Sequence, residues 1–235
     1  MIELLHCDCM EYMATVPDKY FDLAIVDPPY GIDDKLYRSS YGKNSKGALA
    51  LYSKNRWDIT PNKEYFEELK RVSKYQIVWG GNYFTNLLSP NRCWICWNKD
   101  NPATNFSSVE LAWTSFDALP NYYYYAWGGL SDGIKGRNKK EKSIHPTQKP
   151  VALYEWLLTN YAKKGQRILD THGGSMSSVI AAINCGCSIV CCELDADYFA
   201  AGVERVRQHQ NQFTLFNDEN VIVENISNFK QVSML

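Results

Sequence analysis

Several features are missing from this 235-residue sequence, and each absence excludes a class of protein. The longest apolar stretches are only as long as a strand, and no basic segment followed by an apolar one opens the chain. We therefore expect neither a transmembrane span nor a signal peptide, and we expect a cytoplasmic protein. Neither sign of charge is in excess, since 25 basic residues face 26 acidic ones. The overall charge therefore gives no support to nucleic-acid binding.

Zinc-ligand spacing is missing too, although the chain has eight cysteines. Cys93 and Cys96 form a C-x-x-C pair in an apolar run, but no second pair of ligands follows at zinc spacing. Four other cysteines lie between 185 and 192, at a helix end and in an apolar strand. We expect buried, reduced thiols and no metal. No cysteine follows a proline, so the nucleophile turn of cytosine-C5 chemistry is absent as well.

The glycine pattern G-x-G-x-x-G of dinucleotide sites is also absent, yet two strand ends have the layout of a nucleoside site. The apolar run 167–169 ends in Asp170-Thr171-His172-Gly173-Gly174-Ser175, and the run 188–192 ends in Glu193-Leu194-Asp195. In Rossmann-type sites a glycine turn follows one strand, and an acid about 20 residues on accepts the ribose hydroxyls. Without the phosphate-binding glycines, NAD and FAD are disfavoured, and a nucleoside cofactor lacking phosphates fits better.

The most informative motif is Asp27-Pro28-Pro29-Tyr30, which follows the apolar run 23–26. Two prolines cannot continue a ladder of hydrogen bonds, so they hold the preceding carboxylate and the adjacent carbonyls in one stiff turn. Tyr30 adds a flat aromatic face. Such a turn suits the binding of an exocyclic amino group whose ring stacks on the tyrosine. The alternative is an ordinary exposed turn at a strand end.

Alternation of strand and helix patterns predicts an α/β fold with a mostly parallel sheet and helices on both faces. We expect a single domain over residues 1–210 and a tail over 211–235. Strands are predicted near 2–6, 21–26, 75–79, 92–97, 107–115, 121–126, 167–170 and 188–193, and helices near 10–16, 61–73, 150–162, 175–184 and 196–209.

Taken together, the motifs resemble the amino-group DNA methyltransferases in the permuted (beta-group) order, where D-P-P-Y precedes the cofactor motif. The matching segments are 6–9, 27–30, 145–150, 170–178 and 193–195. The chain looks most like the small adenine-N6 enzymes of bacteriophages and prophages. This resemblance implies a Rossmann-like class I fold that uses S-adenosylmethionine, with a circularly permuted motif order and a seven-stranded sheet containing one antiparallel strand.

The resemblance also implies the reaction, which is methylation of adenine N6 in DNA by base flipping and direct in-line transfer. Asp27 and the Pro28 carbonyl would accept the two amine hydrogens, and Tyr30 would stack on the flipped base. The catalytic residues implied are Asp27, Pro28, Pro29 and Tyr30. Cytosine-N4 methylation stays open, because the same turn can hold that amine. A catalytically impaired DNA-binding homologue also stays open.

For the cofactor, the resemblance implies that Glu193 binds the ribose hydroxyls and that Asp170 lies near the methionine end. Asp8 and Cys9 would contact the adenine ring, and Thr147 and Lys149 would border the methionine carboxylate. His145 is either a ligand contact or a packing residue. The full set of expected cofactor residues is Asp8, Cys9, His145, Thr147, Lys149, Asp170, His172, Gly173, Gly174, Ser175, Glu193 and Asp195.

One departure from the family lies in the cofactor loop, which usually reads D-x-F-x-G-S-G-T. This chain has His172 in place of the phenylalanine and Met176 in place of the last glycine. If that position requires a positive φ, methionine forces the backbone to adjust. We interpret the loop as a functional variant, and the impaired homologue is the alternative.

Partners are indicated by local charge and by the tail. Two loops, about 33–56 and 98–145, are expected to contact DNA phosphates. The tail segment Gln212–Phe216 resembles the pentapeptide that binds the bacterial sliding clamp, or else it packs on the domain or on a second copy in a homodimer. Tyr122 to Tyr125 alternate on a strand, so two of them are expected to pack and two to face DNA. The expected DNA-binding residues are Lys35, Arg38, Lys43, Lys46, Arg56, Lys135, Arg137, Lys139 and Lys140.

Overall fold

The computed structural model describes residues 1–32, 58–100, 107–127, 143–145, 147–214 and 223–225. Its strands are β1 (Ile2–His6), β2 (Phe21–Val26), β3 (Ser73–Trp79), β4 (Trp94–Asn98), β5 (Val109–Thr114), β6 (Asn121–Tyr124), β7 (Arg167–Asp170), β8 (Ser188–Glu193) and β9 (Val223–Asn225). Its helices are α1 (Cys9–Ala14), α2 (Lys63–Val72), α3 (Val151–Tyr161), α4 (Ser177–Cys185) and α5 (Ala196–Thr214), with a 3₁₀ turn at Gly81–Tyr83.

Within the described ranges, the strands form one sheet in the order β6-β4-β5-β3-β2-β7-β8-β1-β9. Only β5 runs against its neighbours, β3 and β4, while the other pairs are parallel. The predicted α/β fold with one antiparallel strand is confirmed. In the part of the chain that the structure describes, the implied count of seven strands is corrected to nine, since β6 and β9 extend the sheet at its two edges.

Helices cover both faces of the sheet, as the alternation of apolar side chains requires. On β2, Leu23 and Ile25 point into the cluster formed with α3 and α4, while Ala24 and Val26 point into the cluster formed with α1 and α2. Because β2 is buried on both faces, it reads as a continuous apolar run instead of an alternating one. This central position places the turn that follows β2 in the middle of the sheet edge.

The predicted elements lie close to the observed ones, and the largest differences are at the end of the chain. Helix α5 continues to Thr214, five residues past its predicted end, so the segment 212–216 begins inside this helix and does not follow it. A three-residue strand, Val223–Asn225, pairs with β1 where the sequence indicated only a polar tail. Among the described residues, no helix is long and apolar enough to cross a membrane.

Candidate active site

The predicted active-site residues gather at one edge because four adjacent strands, β2, β7, β8 and β1, are parallel. Asp27 follows β2, Asp170 ends β7 and Glu193 ends β8. Parallel sheets bind ligands at the carboxyl ends of their strands. The strand ends that the sequence singled out are therefore brought together by the topology.

The Asp27–Tyr30 turn is held by aromatic packing and by an internal hydrogen bond. Tyr30 donates its hydroxyl to Asp27 Oδ1 at 2.6 Å. Its ring stacks on Tyr83 at 5.0 Å between centroids and lies so close to Gly80 that a β-carbon there would overlap it. Gly80 also has φ +66°, where a side chain is strained. One face of the Tyr30 ring is thus covered by Tyr83.

Beyond the turn, Asp58 ties the returning chain to the catalytic segment. Its two carboxylate oxygens accept the backbone N–H groups of Gly31 and Ile32 at 2.8 and 2.6 Å. Gly31 has φ +69°, which lets two successive N–H groups converge on one carboxylate. Asp58 therefore fixes the direction in which the chain leaves Tyr30.

Behind Asp27 lies a row of alternating charges in which Lys149 is buried and the other groups are half-buried. Lys149 donates to Asp27 Oδ2, and its ammonium is 3.3 Å from Glu110 Oε2, while Lys99 is 2.7 Å from Glu110 Oε1. Burial alone would lower the pKa of Lys149, but the carboxylates of Asp27 and Glu110 raise it. Burial alone would raise the pKa of Glu110, but the two ammonium groups lower it to about 2. Lys149 and Glu110 are therefore both charged at neutral pH.

The loop after β7 is closed by its own carboxylate. Asp170 accepts the backbone N–H of His172 at 3.0 Å and the hydroxyl of Ser178 at 2.5 Å, and it is 2% exposed. Burial raises the pKa of Asp170 to about 6, although both hydrogen bonds act in the opposite direction. A β-carbon on Gly173 would lie 2.5 Å from Cys191 Sγ, so the loop follows the sheet at a distance that only glycine allows. Asp170 thus fixes the conformation of the loop through these two hydrogen bonds.

Met176 adopts the left-handed conformation that the family's glycine would adopt freely. Its φ is +56° and ψ +31°, immediately before α4. The side chain is fully buried, and it packs so closely on α5 that a β-carbon on Gly202 would lie 2.8 Å from its Cγ. The loop therefore keeps a left-handed turn, with the strained methionine held by packing. The replacement of the family's glycine by Met176 therefore changes the side chain and leaves the left-handed backbone conformation in place.

Carboxylates dominate the strand ends beside this loop. Glu193 accepts the N–H groups of Gly174 and Asp195 at 2.6 and 2.8 Å, and burial raises its pKa. Asp8 follows β1, whose last residue is in register with Glu193, and it accepts Met10 N–H at the start of α1. Asp195 accepts two N–H groups at the start of α5. Paired acids disfavour a phosphate and suit hydroxyl, amine or cationic groups of a nucleoside.

Two histidines border the same loop, and both are neutral at physiological pH. The His145 ring packs edge-on against Tyr198 at 4.3 Å and lies 3.6 Å from where a Gly174 β-carbon would be. Thr147 pairs with its Nδ1 at 3.1 Å. His172 Nδ1 pairs with Thr171 Oγ1 at 2.9 Å. Burial lowers the pKa of each imidazole to about 4.

The remaining expected contacts divide into described and undescribed ones. Cys9 is half-buried in α1, and Ser175 lies in the loop, where Arg205 donates to its carbonyl at 2.6 Å. Tyr123 stacks on Trp156, while Tyr122 and Tyr124 are more than half exposed, so the predicted alternation holds. All eight cysteines are free thiols. The residues expected to bind DNA all lie in 33–57 or 128–142, which are outside the described residues. Residues 215 and 216 of the tail motif are also outside the described residues.

Glu110, Lys99, Tyr83 and Asp58 were missed by sequence reasoning. Glu110 carried a usable signal, because it is a charged residue inside the apolar strand 109–114. The register pairs Glu110 with Trp97, so Lys99 comes from two residues further along the neighbouring segment. No sequence pattern indicated Tyr83 or Asp58, because their contacts with the Asp27–Ile32 segment depend on the tertiary fold.

A mostly parallel sheet with a glycine loop and acidic strand ends defines a Rossmann-like class I methyltransferase fold. The DNA methylase family model of N6 and N4 methyltransferases matches residues 49–204, and the chain belongs to this family.

Individual relatives are distant but span most of the chain. Type II methyltransferase M2.DpnII of Streptococcus pneumoniae is 24% identical, covering 86% of this chain and 88% of its own length. The crystal structure of the M1.HpyAVI-SAM complex has a TM-score of 0.55 at 19% identity, covering 88% of this chain and 99% of its own. PvuII DNA methyltransferase (cytosine-N4-specific) has a TM-score of 0.55 at 14% identity, covering 91% and 93%.

Proposed function

We propose that this protein methylates the exocyclic N6 of adenine in DNA, using S-adenosylmethionine. The observation that carries the proposal is the Asp27–Tyr30 turn at the end of the central strand, next to the glycine loop that ends β7. Family membership supplies the reaction class, and the named relatives are DNA methyltransferases of bacteria. The aspartate at the start of the motif favours adenine.

Within this reaction, the chain's own residues orient the amine. Adenine N6 is a weak nucleophile because its lone pair is delocalised into the ring. Asp27 accepts one amine hydrogen and the Pro28 carbonyl accepts the other, which directs the lone pair out of the ring plane. Tyr30 stacks on the base, which must leave the duplex to reach this turn. Pro29 keeps the turn rigid. When bound, S-adenosylmethionine supplies an electrophilic methyl group on a sulfonium.

The residues at the strand ends fit that cofactor. Gly173 lets the loop run close to the sheet, where a β-carbon would overlap Cys191, and Gly174 allows the left-handed turn at φ +49°. Glu193 retains lone pairs for ribose hydroxyls beyond the two backbone bonds it accepts. A cationic sulfonium is favoured in acidic surroundings, whereas a pyrophosphate is disfavoured. The other residues proposed to border the cofactor are Asp8, Cys9, His145, Thr147, Asp170, His172, Ser175 and Asp195.

Recognition of the DNA sequence is proposed to lie in the loops 33–56 and 98–145. The two segments carry the expected phosphate-binding lysines and arginines. The second segment includes the strands β5 and β6, and it begins where β4 ends, at the same sheet edge as the Asp27–Tyr30 turn. Exposed Tyr122 and Tyr124 lie on β6, which is parallel to β4 and so ends at that edge. Sliding-clamp binding through Gln212–Phe216 and homodimer formation stay proposals, as does action in the cytoplasm where bacterial DNA lies.

The test is single-molecule sequencing of DNA from methylation-free cells that express the protein. We expect N6-methyladenine in one fixed sequence context, and a loss of at least about 100-fold in Asp27→Ala cells. N4-methylcytosine instead would establish the alternative target, which the same turn can hold. Unmodified DNA in cells that contain soluble protein would contradict both activities and leave the impaired DNA-binding homologue.

A further inference from the structure

We propose that Lys149 is a positioning residue that orients the Asp27 carboxylate, and that Glu110 and Lys99 complete a charge row that balances it. The proposal rests on the methylation function above and deepens it. The family resemblance expects Lys149 at the cofactor's methionine carboxylate. Its surroundings in this chain favour a different partner.

The ammonium of Lys149 is enclosed by protein atoms. An ammonium has three N–H donors, and three oxygens face this one: Asp27 Oδ2, Glu110 Oε2 at 3.3 Å and Tyr30 Oη at 3.3 Å. The ring of Trp79 lies 5.6 Å away, and the side chain is 5% exposed. The hydrogen bonds of Lys149 go to Asp27 and Tyr30, both in the Asp27–Tyr30 turn, and Glu110 faces the ammonium as an ion pair.

This enclosure determines what Asp27 can do. Tyr30 occupies one lone pair of Oδ1 and Lys149 occupies one of Oδ2, so both torsions of the side chain are fixed. One lone pair on each oxygen stays available to accept an amine hydrogen. Held by these two contacts, the carboxylate acts as a fixed acceptor for the amine.

Glu110 prevents the row from becoming a positive cluster. Without it, Lys149 and Lys99 would place two positive charges against the single negative charge of Asp27. With it, the four groups sum to zero, which is the arrangement that buried charges require. The other titratable groups that act electrostatically on Asp27 are Tyr30, Tyr154 and Asp170.

Two variants should separate a positioning role from general structural damage. In Lys149→Met, Asp27 loses one of the two contacts that fix its side chain, so the single-turnover rate should fall while the KM for DNA changes by less than about 3-fold. In Lys149→Arg, a cation that can donate to Asp27 Oδ2 is retained, so part of the rate should return. General structural damage would raise KM as well and would not be rescued by arginine.

Cofactor binding separates this proposal from a cofactor role for Lys149. We expect Lys149→Met to bind S-adenosylmethionine within about 3-fold of wild type by calorimetry, while its rate at neutral pH falls by at least about 10-fold. The control is Lys74→Met, which breaks a 2.7 Å ion pair with Asp22 at the opposite end of β2 and should leave both rate and KM unchanged.

A readout without DNA keeps the two proposals distinguishable. The side-chain ¹³C signal of Asp27 in aspartate-labelled protein, recorded at neutral pH, should change its chemical shift in Lys149→Met and not in Lys74→Met. Loss of cofactor binding in Lys149→Met with an unmoved Asp27 signal would overturn the positioning role. A wild-type protein that methylates no DNA would refute the proposed function alone, because the Asp27 signal would still report on Lys149.

Discussion

Met176 offers a direct test of the backbone in the cofactor loop, through the pair of variants Met176→Ala and Met176→Gly. Both remove a fully buried side chain that packs against Gly202. They differ in backbone freedom, because alanine keeps the left-handed strain at φ +56° and glycine relieves it. The comparison therefore isolates the conformational cost from the packing loss.

The magnitudes follow from the burial and the φ angle. Truncating a buried methionine to alanine costs about 2–5 kcal/mol of unfolding free energy. A non-glycine residue in the left-handed region costs about 1–2 kcal/mol, which the glycine variant recovers. We expect Met176→Gly to be less stable than wild type but about 1 kcal/mol more stable than Met176→Ala. In an ordinary helical position the order is reversed, with alanine better by about 1 kcal/mol.

Urea unfolding followed by tryptophan fluorescence measures this difference, at equal slopes for the two variants. About 1 kcal/mol corresponds to a factor of about 5 in the unfolding constant, which is well resolved. Cofactor affinity of Met176→Gly should stay within a few-fold of wild type, because the loop backbone already has the conformation glycine prefers. An alanine variant more stable than the glycine variant would refute a left-handed Met176.

Three other predictions address the same edge of the sheet. Because the pKa of Asp170 is about 6 in the fold and its ordinary value is 3.8, the folded state holds its proton more tightly, so this group's contribution to stability falls as pH rises from about 4 to 6. Relative to Asp170→Asn, the unfolding free energy of wild type in urea melts should fall by about 3 kcal/mol over that pH range. Parallel plots of unfolding free energy against pH for the two proteins would contradict this prediction. Gly80→Ala should lower the methylation rate by at least about 10-fold, with the S-adenosylmethionine Kd retained, because a β-carbon displaces the Tyr30 ring; an unaltered rate would count against that contact. Asp58→Ala should lower the methylation rate by a similar factor, because the Gly31 N–H loses its acceptor. Asp58→Glu should not restore the rate, because the longer side chain misplaces the carboxylate.

Much of the site was predictable because its acids come at the ends of apolar runs. Asp27, Asp170 and Glu193 each follow a strand, and parallel pairing of β2, β7, β8 and β1 then brings them to one edge. The alternation of helix and strand signals was enough to predict a sheet with helices on both faces. Boundaries within two residues followed for most elements, because prolines, glycines and polar caps punctuate them.

Other parts depended on pairing that no local pattern encodes. The row from Asp27 to Lys99 requires the antiparallel strand β5 to lie between β3 and β4, which joins residues from four separate segments. The motif resemblance assigned Lys149 to the methionine carboxylate of the cofactor. Its partner in the structure is Asp27, which the sheet brings close although the two residues are distant in sequence. The strand at 223–225 was missed because a segment of three residues carries too little signal of its own, although the apolar Val221 and Ile222 precede it.

The parallel pairing of β2 with β7 has a consequence for the order in which the molecule is assembled. Asp22 and Arg167, joined by a hydrogen bond beside this pair, are 145 positions apart, and His6 and Leu194 are 188 apart. Sheets built from such distant partners close large loops before they gain contacts, so they fold slowly. During synthesis the catalytic strand emerges early but lacks one neighbour until about residue 170 has left the ribosome. We therefore expect this apolar strand to be a point of vulnerability to aggregation and a place where chaperones engage the nascent chain.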